Sequence, residues 1–238
     1  MSAPGEAATE TPAVETAYGP LGEPRWPIAG ALLLYLALNI GARVWLPNQG
    51  AVRVPWLLPV LEGVLLTLLL ASGSRSFAGQ GVWLRRVSVA LVVVLVMAAL
   101  WATILLVYDL IKGLGVTNSP ARLLASGGLV WLGNNLAFAL LYWLVDSGGP
   151  MARARSKTPI DFAFPQHMSP ELAPPGWRPV FLDYLHLGFT NATAFSPTDV
   201  MPLTHRAKYT MLVQSTVALA LFGLIVARAV NALSLIHI

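Results

Sequence analysis

The residues whose types could do chemistry are concentrated in one short stretch of a very apolar chain. Asp183 and His186 are three positions apart, so on a helix they share one face. A carboxylate and an imidazole at this spacing can steady a helix by hydrogen bonding, bind a metal ion or relay a proton. A metal site needs three or four ligands, and the sequence offers no second cluster of this kind. Neither a metal nor another cofactor is therefore predicted.

A run of small polar residues follows this pair and supplies the main candidates for a functional loop. They are Thr193, Phe195, Ser196, Pro197, Thr198 and Asp199. Because Pro197 interrupts helix geometry, the run predicts irregular backbone after a short helix. Such backbone is tolerated at membrane depth only where protein or a water-filled cavity satisfies its polar groups. Asp199 has two open roles, as a charge at the mouth of a pathway or as the cap of the last helix.

Three further polar residues interrupt the long apolar runs, which cover residues 26–46, 54–72, 87–111, 123–145 and 209–230. Glu62 lies near the middle of the second run, where an acid suggests a proton or ion pathway. A structural partner of another helix or a neutral, protonated acid is the alternative for Glu62. Asn134 and Asn135 lie in the middle of the fourth run, where amides join helices by hydrogen bonds or contact a substrate.

The composition predicts a protein that lies in a lipid bilayer. Its 238 residues are 56% hydrophobic and only 11% charged, with a mean hydropathy of +0.66. Ordinary soluble domains carry about 25% charged residues, so a soluble enzyme, a disordered protein and a nucleic-acid-binding protein are excluded. The absence of cysteine excludes disulfides and thiolate metal sites.

Apolar runs of the length that a bilayer requires, about 20 residues, predict an all-α, multi-pass fold. The chain divides into a disordered acidic tail (1–25), a four-helix transmembrane region (26–145), a polar loop (146–178), a half-helix with the last transmembrane helix (179–231) and a non-native end (232–238). The half-helix, residues 179–189, is too short to span. We therefore predict about five transmembrane helices plus a re-entrant loop, with six transmembrane helices as the alternative.

Residues 183–204 resemble the pore loop of the potassium-channel family. That family has an aspartate, a short helix, the filter Thr-x-Thr-Thr-Val-Gly-Tyr-Gly-Asp and then x-x-Pro-x-Thr. Here Asp183 takes the place of the helix aspartate, residues 195–199 take the place of Val-Gly-Tyr-Gly-Asp, and Pro202 and Thr204 match the last motif without a gap. The same segment is similar to bacterial integral membrane proteins of unknown function.

The resemblance implies an ion-permeation protein that works as a homo-oligomer, since potassium channels use four such loops around one pore. Its partners would be lipid and monovalent cations. Ser196 and Thr198 replace both filter glycines and Pro197 fixes φ, so the carbonyl geometry of a potassium filter is not implied. Coordination would instead come from the side-chain oxygens of Thr193, Ser196, Thr198 and Asp199.

The distribution of cations predicts the orientation in the inner (plasma) membrane. With five crossings, ten cations lie on the side of the N-terminal tail: Arg25, Arg75, Arg85, Arg86, Arg153, Arg155, Lys157, Arg178, Arg206 and Lys208. Five lie on the other side: Arg43, Arg53, Lys112, Arg122 and Arg228. The positive-inside rule then places the N-terminus in the cytoplasm. A potassium-channel loop would enter from the opposite side, so the two indications conflict.

The sequence supports three functional hypotheses, which we give in order of preference. The first is a channel-like permeation protein, and the second is a non-conducting membrane scaffold or partner protein. The third, a membrane-embedded enzyme, has no support from a phosphate loop, a Gly-x-Ser-x-Gly elbow or a His-Glu-x-x-His helix, so catalysis is not predicted.

Overall fold

Helices form most of the structure. The computed structural model describes residue 23 and residues 26–45, 57–71, 82–113, 120–155, 159–193 and 199–234. The helices are α1 (Trp26–Trp45), α2 (Leu57–Ala71), α3 (Val82–Lys112), α4 (Pro120–Val145), α5 (Pro150–Arg155), α6 (Pro165–Met168), α7 (Phe181–Thr193) and α8 (His205–Ser234). Two short strands, β1 (Phe162–Ala163) and β2 (Met201–Pro202), pair in antiparallel fashion. The prediction of an all-α fold is confirmed.

Among the described residues, three helices are long and apolar enough to cross a bilayer. The qualifying stretches are Arg86–Lys112 in α3, Ala121–Gly148 in α4 and His205–Arg228 in α8. Shorter apolar stretches occur in α1 (Trp26–Gly41) and in α2 (Pro59–Leu68). This architecture is compatible with a membrane protein, while the number of crossings stays a prediction.

Helix α4 is the centre of the molecule. It is the most deeply buried of the three long apolar helices and packs against α1, α3, α7 and α8. Its second half contributes Phe138, Tyr142 and Trp143 to the core, and the Trp143 ring meets the Phe181 ring edge to face. Because apolar side chains cover this helix on most sides, its sequence shows no clear amphipathic period.

Helices α7 and α8 both begin beside the C-terminal end of α4. Tyr184, in the first turns of α7, contacts Asp146, whereas the Phe189 ring packs on Trp131 farther back along α4, with the centroids 5.0 Å apart. Helix α7 therefore runs antiparallel to α4. Arg206, in the first turn of α8, also lies at this end, which we call the anchored end.

Two segments differ from the sequence predictions. Helix α7 continues to Thr193, although the polar residues after Phe189 were predicted to be irregular. The side-chain amide of Asn191 is hydrogen-bonded inside the protein, which offsets the weak helix propensity of this stretch. The predicted polar loop also contributes to the core, because Phe162 and Phe164 are buried.

Candidate functional site

The site is built at the anchored end, where the chain turns sharply after α4. Ser147, Gly148 and Gly149 follow one another with positive φ angles of 53°, 79° and 96°. Glycine adopts this region without the steric penalty that a Cβ brings. The turn reverses the chain so that the backbone of Asp161 comes beside the side chain of Asp146.

Five residues at this end form what we call the carboxylate clasp: Asp146, Asp161, Tyr184, Thr204 and Arg206. The Asp146 carboxylate accepts the backbone N–H of Asp161 at 2.8 Å and the hydroxyl of Tyr184. The Asp161 carboxylate accepts the Thr204 hydroxyl at 2.6 Å and a two-pronged contact from Arg206 at 2.7 and 2.5 Å. The clasp therefore joins the end of α4, the β1 segment, α7 and α8.

The two oppositely charged side chains of the clasp differ in their exposure to solvent. The Asp161 side chain is 0% exposed, whereas that of Arg206 is 57% exposed. Burial raises the pKa of Asp161, but hydrogen bonds from Arg206, Thr204 and the Ser147 N–H outweigh it, so the pKa lies below its ordinary value. Asp161 is thus a buried anion held by a cation that still reaches water.

We call residues 194–204, between α7 and α8, the return segment. Backbone pairing ties its described part to the anchored end. Phe162 and Ala163 pair with Pro202 and Met201, and the Leu203 N–H donates to the Asp161 carbonyl at 2.8 Å. Thr204 also accepts the Ala207 N–H through its hydroxyl, at 3.4 Å, and so stands at the cap position of α8. The chain that leaves the far end of α7 is in this way brought back to the anchored end.

A second polar group, which we call the amide cluster, lies farther along α4, α7 and α8. It consists of Asn135, Tyr142, Asn191 and Gln214, all buried. Gln214 is its centre: it accepts from Tyr142 and Asn191, each at 2.7 Å, and donates to the Asn135 oxygen at 3.3 Å and to the Gly188 carbonyl at 2.9 Å. Because every polar atom of the Gln214 side chain is bonded, the cluster fixes α7 between its two neighbours.

Glu23 adds a contact from the N-terminal part of the chain. Its carboxylate accepts the Trp143 indole N–H at 2.7 Å and the backbone N–H of Phe181 at the start of α7. Burial raises the pKa of Glu23, and the Trp143 hydrogen bond offsets only part of that rise. A residue that the sequence assigned to an acidic tail therefore holds the first turn of α7.

The predicted loop residues are only partly within the described structure. Thr193 is the last residue of α7, and its hydroxyl donates to the Thr190 carbonyl at 3.0 Å. Phe195, Ser196, Pro197 and Thr198 lie outside the described residues. Asp199 is exposed and stands well ahead of α8, which begins at His205 with Thr204 at its cap. The capping role considered for Asp199 is therefore wrong, because Thr204 occupies that position.

The pair Asp183 and His186 lies on α7, as the sequence predicted. The Asp183 carboxylate turns back to accept the Val180 N–H at 2.7 Å, which secures the start of the helix. His186 is on the exposed side of α7, together with Leu182 and Phe189. Within the described parts of the chain, no three side chains of the kinds that bind metal ions form a group.

The other intramembrane polar candidates join pairs of helices. The Glu62 carboxylate in α2 accepts the Asn39 amide of α1 at 2.6 Å, and Glu62 is buried. The Asn134 amide in α4 donates to the Thr103 hydroxyl of α3 at 2.8 Å. Asn135 faces the opposite way, toward Gln214 in the amide cluster.

The sequence analysis missed Asp146, Asp161, Tyr142 and Gln214 as site residues. A signal for Gln214 was present, since it is a polar residue inside the last apolar run. Asp161 carried no such signal, because it lies 45 residues from Arg206 in a stretch with no periodic pattern.

The site is suited to positioning rather than to bond making. Its carboxylates are already engaged with backbone N–H groups, hydroxyls and a guanidinium, and its amides are engaged with one another. What the arrangement does is hold α7 and the two ends of its return segment at fixed places. No known protein family, curated protein sequence or solved structure matches this chain.

Proposed function

We propose that this chain is a channel-like ion-permeation protein of a bacterial-type inner membrane, active as a homo-oligomer. In this proposal α7 is a re-entrant half-helix, and the predicted loop residues, Thr193 and residues 195–199, line the path. The proposal has five crossings, and the ten-to-five excess of cations on the N-terminal side favours a cytoplasmic location for the N-terminus and for the anchored end.

One observation carries the proposal: the chain enters and leaves at the same end. Helix α7 starts beside Asp146, reaches as far as Trp131 of α4, and the chain is back at the anchored end when Met201 pairs with Ala163. A segment that re-enters between two such points lies at membrane depth only where protein or water satisfies its backbone polar groups. A short helix with a polar return segment is the architecture that ion pores use.

The outer side of α7 supports an assembly of several copies. His186, Thr190 and Thr193 lie at helical spacing along this side, and His186 and Thr193 are exposed. An imidazole that faces lipid is unfavourable, so this side of a membrane-inserted helix is expected to face water or another copy. One loop cannot enclose a pore, which makes an oligomer the natural arrangement.

The loop is expected to pass monovalent cations without strong preference for potassium. Ser196 and Thr198 stand where the filter glycines would be, so oxygen atoms of side chains replace backbone carbonyls. Asp199 is exposed at the end of the path and supplies the negative charge that favours cations.

Reconstitution of the purified protein in lipid vesicles tests the proposal. We expect uptake of rubidium and sodium ions, and we expect Asp199→Asn to lower it more at low salt than at 1 M salt, where the Debye length falls to about 3 Å. Glu171→Gln is the matched control, because Glu171 is exposed at the same end but outside the loop. If a folded oligomer passes no ion under any gradient, the channel assignment is wrong and the scaffold alternative stands.

A further inference from the structure

A histidine lies beside the clasp, in the short helix that follows β1. The Nδ1 atom of His167 accepts the backbone N–H of Phe164 at 3.1 Å. Because a backbone N–H can only donate, this nitrogen carries no proton, and the proton of the neutral imidazole is on Nε2. The rings of Phe164 and Trp177 flank the imidazole, with centroids 6.0 and 5.2 Å away. The hydrogen bond therefore exists only while His167 is neutral.

Phe164 connects this hydrogen bond to the clasp. It follows β1 directly and is buried, and its ring meets the Tyr184 ring edge to face with the centroids 5.3 Å apart. Strand β1 in turn pairs with Met201 and Pro202 of the return segment. None of the four residues of α6 is buried, so the attachment of this helix depends on the contacts that His167 makes.

The surroundings of the imidazole favour its neutral form. Charged or titratable side chains on the neighbouring elements include Asp146, Arg153, Asp161, Glu171, Arg178 and Tyr184. Burial lowers the pKa of His167 below its ordinary value of 6.5, and the Asp146 carboxylate offsets only part of that shift. An imidazolium carries a proton on each ring nitrogen, so after protonation Nδ1–H and the Phe164 N–H would face each other as two donors.

We propose that His167 is a pH-sensitive switch at the anchored end, which holds Phe164 while the imidazole is neutral and releases it when Nδ1 is protonated. Release loosens β1 and, through the pairing of Ala163 with Met201, the return segment. The released histidine regains its ordinary pKa of 6.5, so the released state binds a proton more readily than the closed one. Acidification below 6.5 therefore favours release until the pH reaches the pKa of the closed state.

Asparagine at position 167 separates the hydrogen bond from the charge. The Oδ1 atom of His167→Asn stands where histidine has Nδ1 and accepts a hydrogen bond at every pH, so the bond is kept and the switch is lost. His205→Asn is the matched control. It makes the same exchange at an exposed histidine, at the start of α8.

Hydrogen exchange of the full chain in lipid nanodiscs, between about pH 7.5 and 5.0, tests the proposal. The readouts are the Phe164 amide and the Leu203 amide, which donates to the Asp161 carbonyl at 2.8 Å, each divided by its intrinsic rate at that pH. In wild type and His205→Asn we expect both to accelerate by up to about tenfold per pH unit below 6.5. His167→Asn should show no acceleration. Asp161 stays ionised throughout, because its pKa lies below 3.8.

Equal acceleration in wild type and His167→Asn would overturn the proposal, and so would release of Phe164 without release of Leu203. Nitrogen NMR of the histidine-labelled wild type is a second measurement, which does not depend on the folding of the variant. We expect the proton of His167 on Nε2 at neutral pH, and a proton on Nδ1 would refute the switch. These readouts do not involve ion uptake, so failure of the switch and failure of the channel proposal are distinguishable.

Discussion

Removing the cation of the clasp is expected to destabilise the protein more than removing its anion. Arg206→Met leaves the Asp161 carboxylate buried with only neutral partners, and such an unpaired buried charge costs up to about 3–5 kcal/mol, the range for ion pairs in which both partners are buried. Asp161→Asn keeps the shape of the side chain and leaves Arg206, which is 57% exposed, free to turn to water. Its cost is the lost charge-assisted hydrogen bonding, about 1.5–3 kcal/mol.

The same reasoning fixes the behaviour of the double variant. Once Asp161 is neutral, Arg206→Met no longer strands a charge, so the double variant should be more stable than Arg206→Met alone. Equilibrium unfolding by SDS in mixed micelles, followed by far-UV circular dichroism, measures all four proteins of the cycle. Equal costs for the two single changes, or costs that simply add in the double variant, would refute the assignment of Asp161 as a buried anion.

The pH dependence of this contribution follows from the direction of the pKa shift. The pKa of Asp161 is lower in the folded protein than its ordinary value of 3.8. A carboxyl of this kind contributes stability that is fully present above 3.8 and is lost as the pH falls through the folded value. The stability difference between wild type and Asp161→Asn should therefore be constant at neutral and mildly acid pH and should shrink only in more acid solution.

Two further substitutions separate the roles of buried polar residues. Gln214→Leu removes the acceptor that the Tyr142 hydroxyl and the Asn191 amide share, and the donor to the Gly188 carbonyl; we expect a loss of about 1–3 kcal/mol in the same unfolding assay and faster hydrogen exchange in α7. Thr216→Leu, at an exposed neighbour, is the control. Glu62→Gln retains an acceptor for the neighbouring α1 amide, so we expect ion flux in vesicles to stay unchanged; a clear drop in flux with intact assembly would place Glu62 in the path instead.

How far the sequence predicted the fold depends on the range of the interactions involved. The long apolar runs predicted α3, α4 and α8 to within a few residues, because a continuous apolar helix is determined by local composition. The end of α7 was predicted too early. Its last turn contains asparagine and threonine, which are weak helix formers, and it forms because Asn191 finds buried partners on α8.

The sequence by itself determined an apolar, helical chain with a proline-interrupted polar segment before its last long helix. Which polar residues meet was decided only by the tertiary structure. Asp161 and Arg206 are 45 residues apart, and Tyr142 and Gln214 are 72 apart, so no local pattern could pair them. A buried carboxylate or amide has to find a partner wherever the packing brings one within reach. That requirement assembled the clasp and the amide cluster around α7.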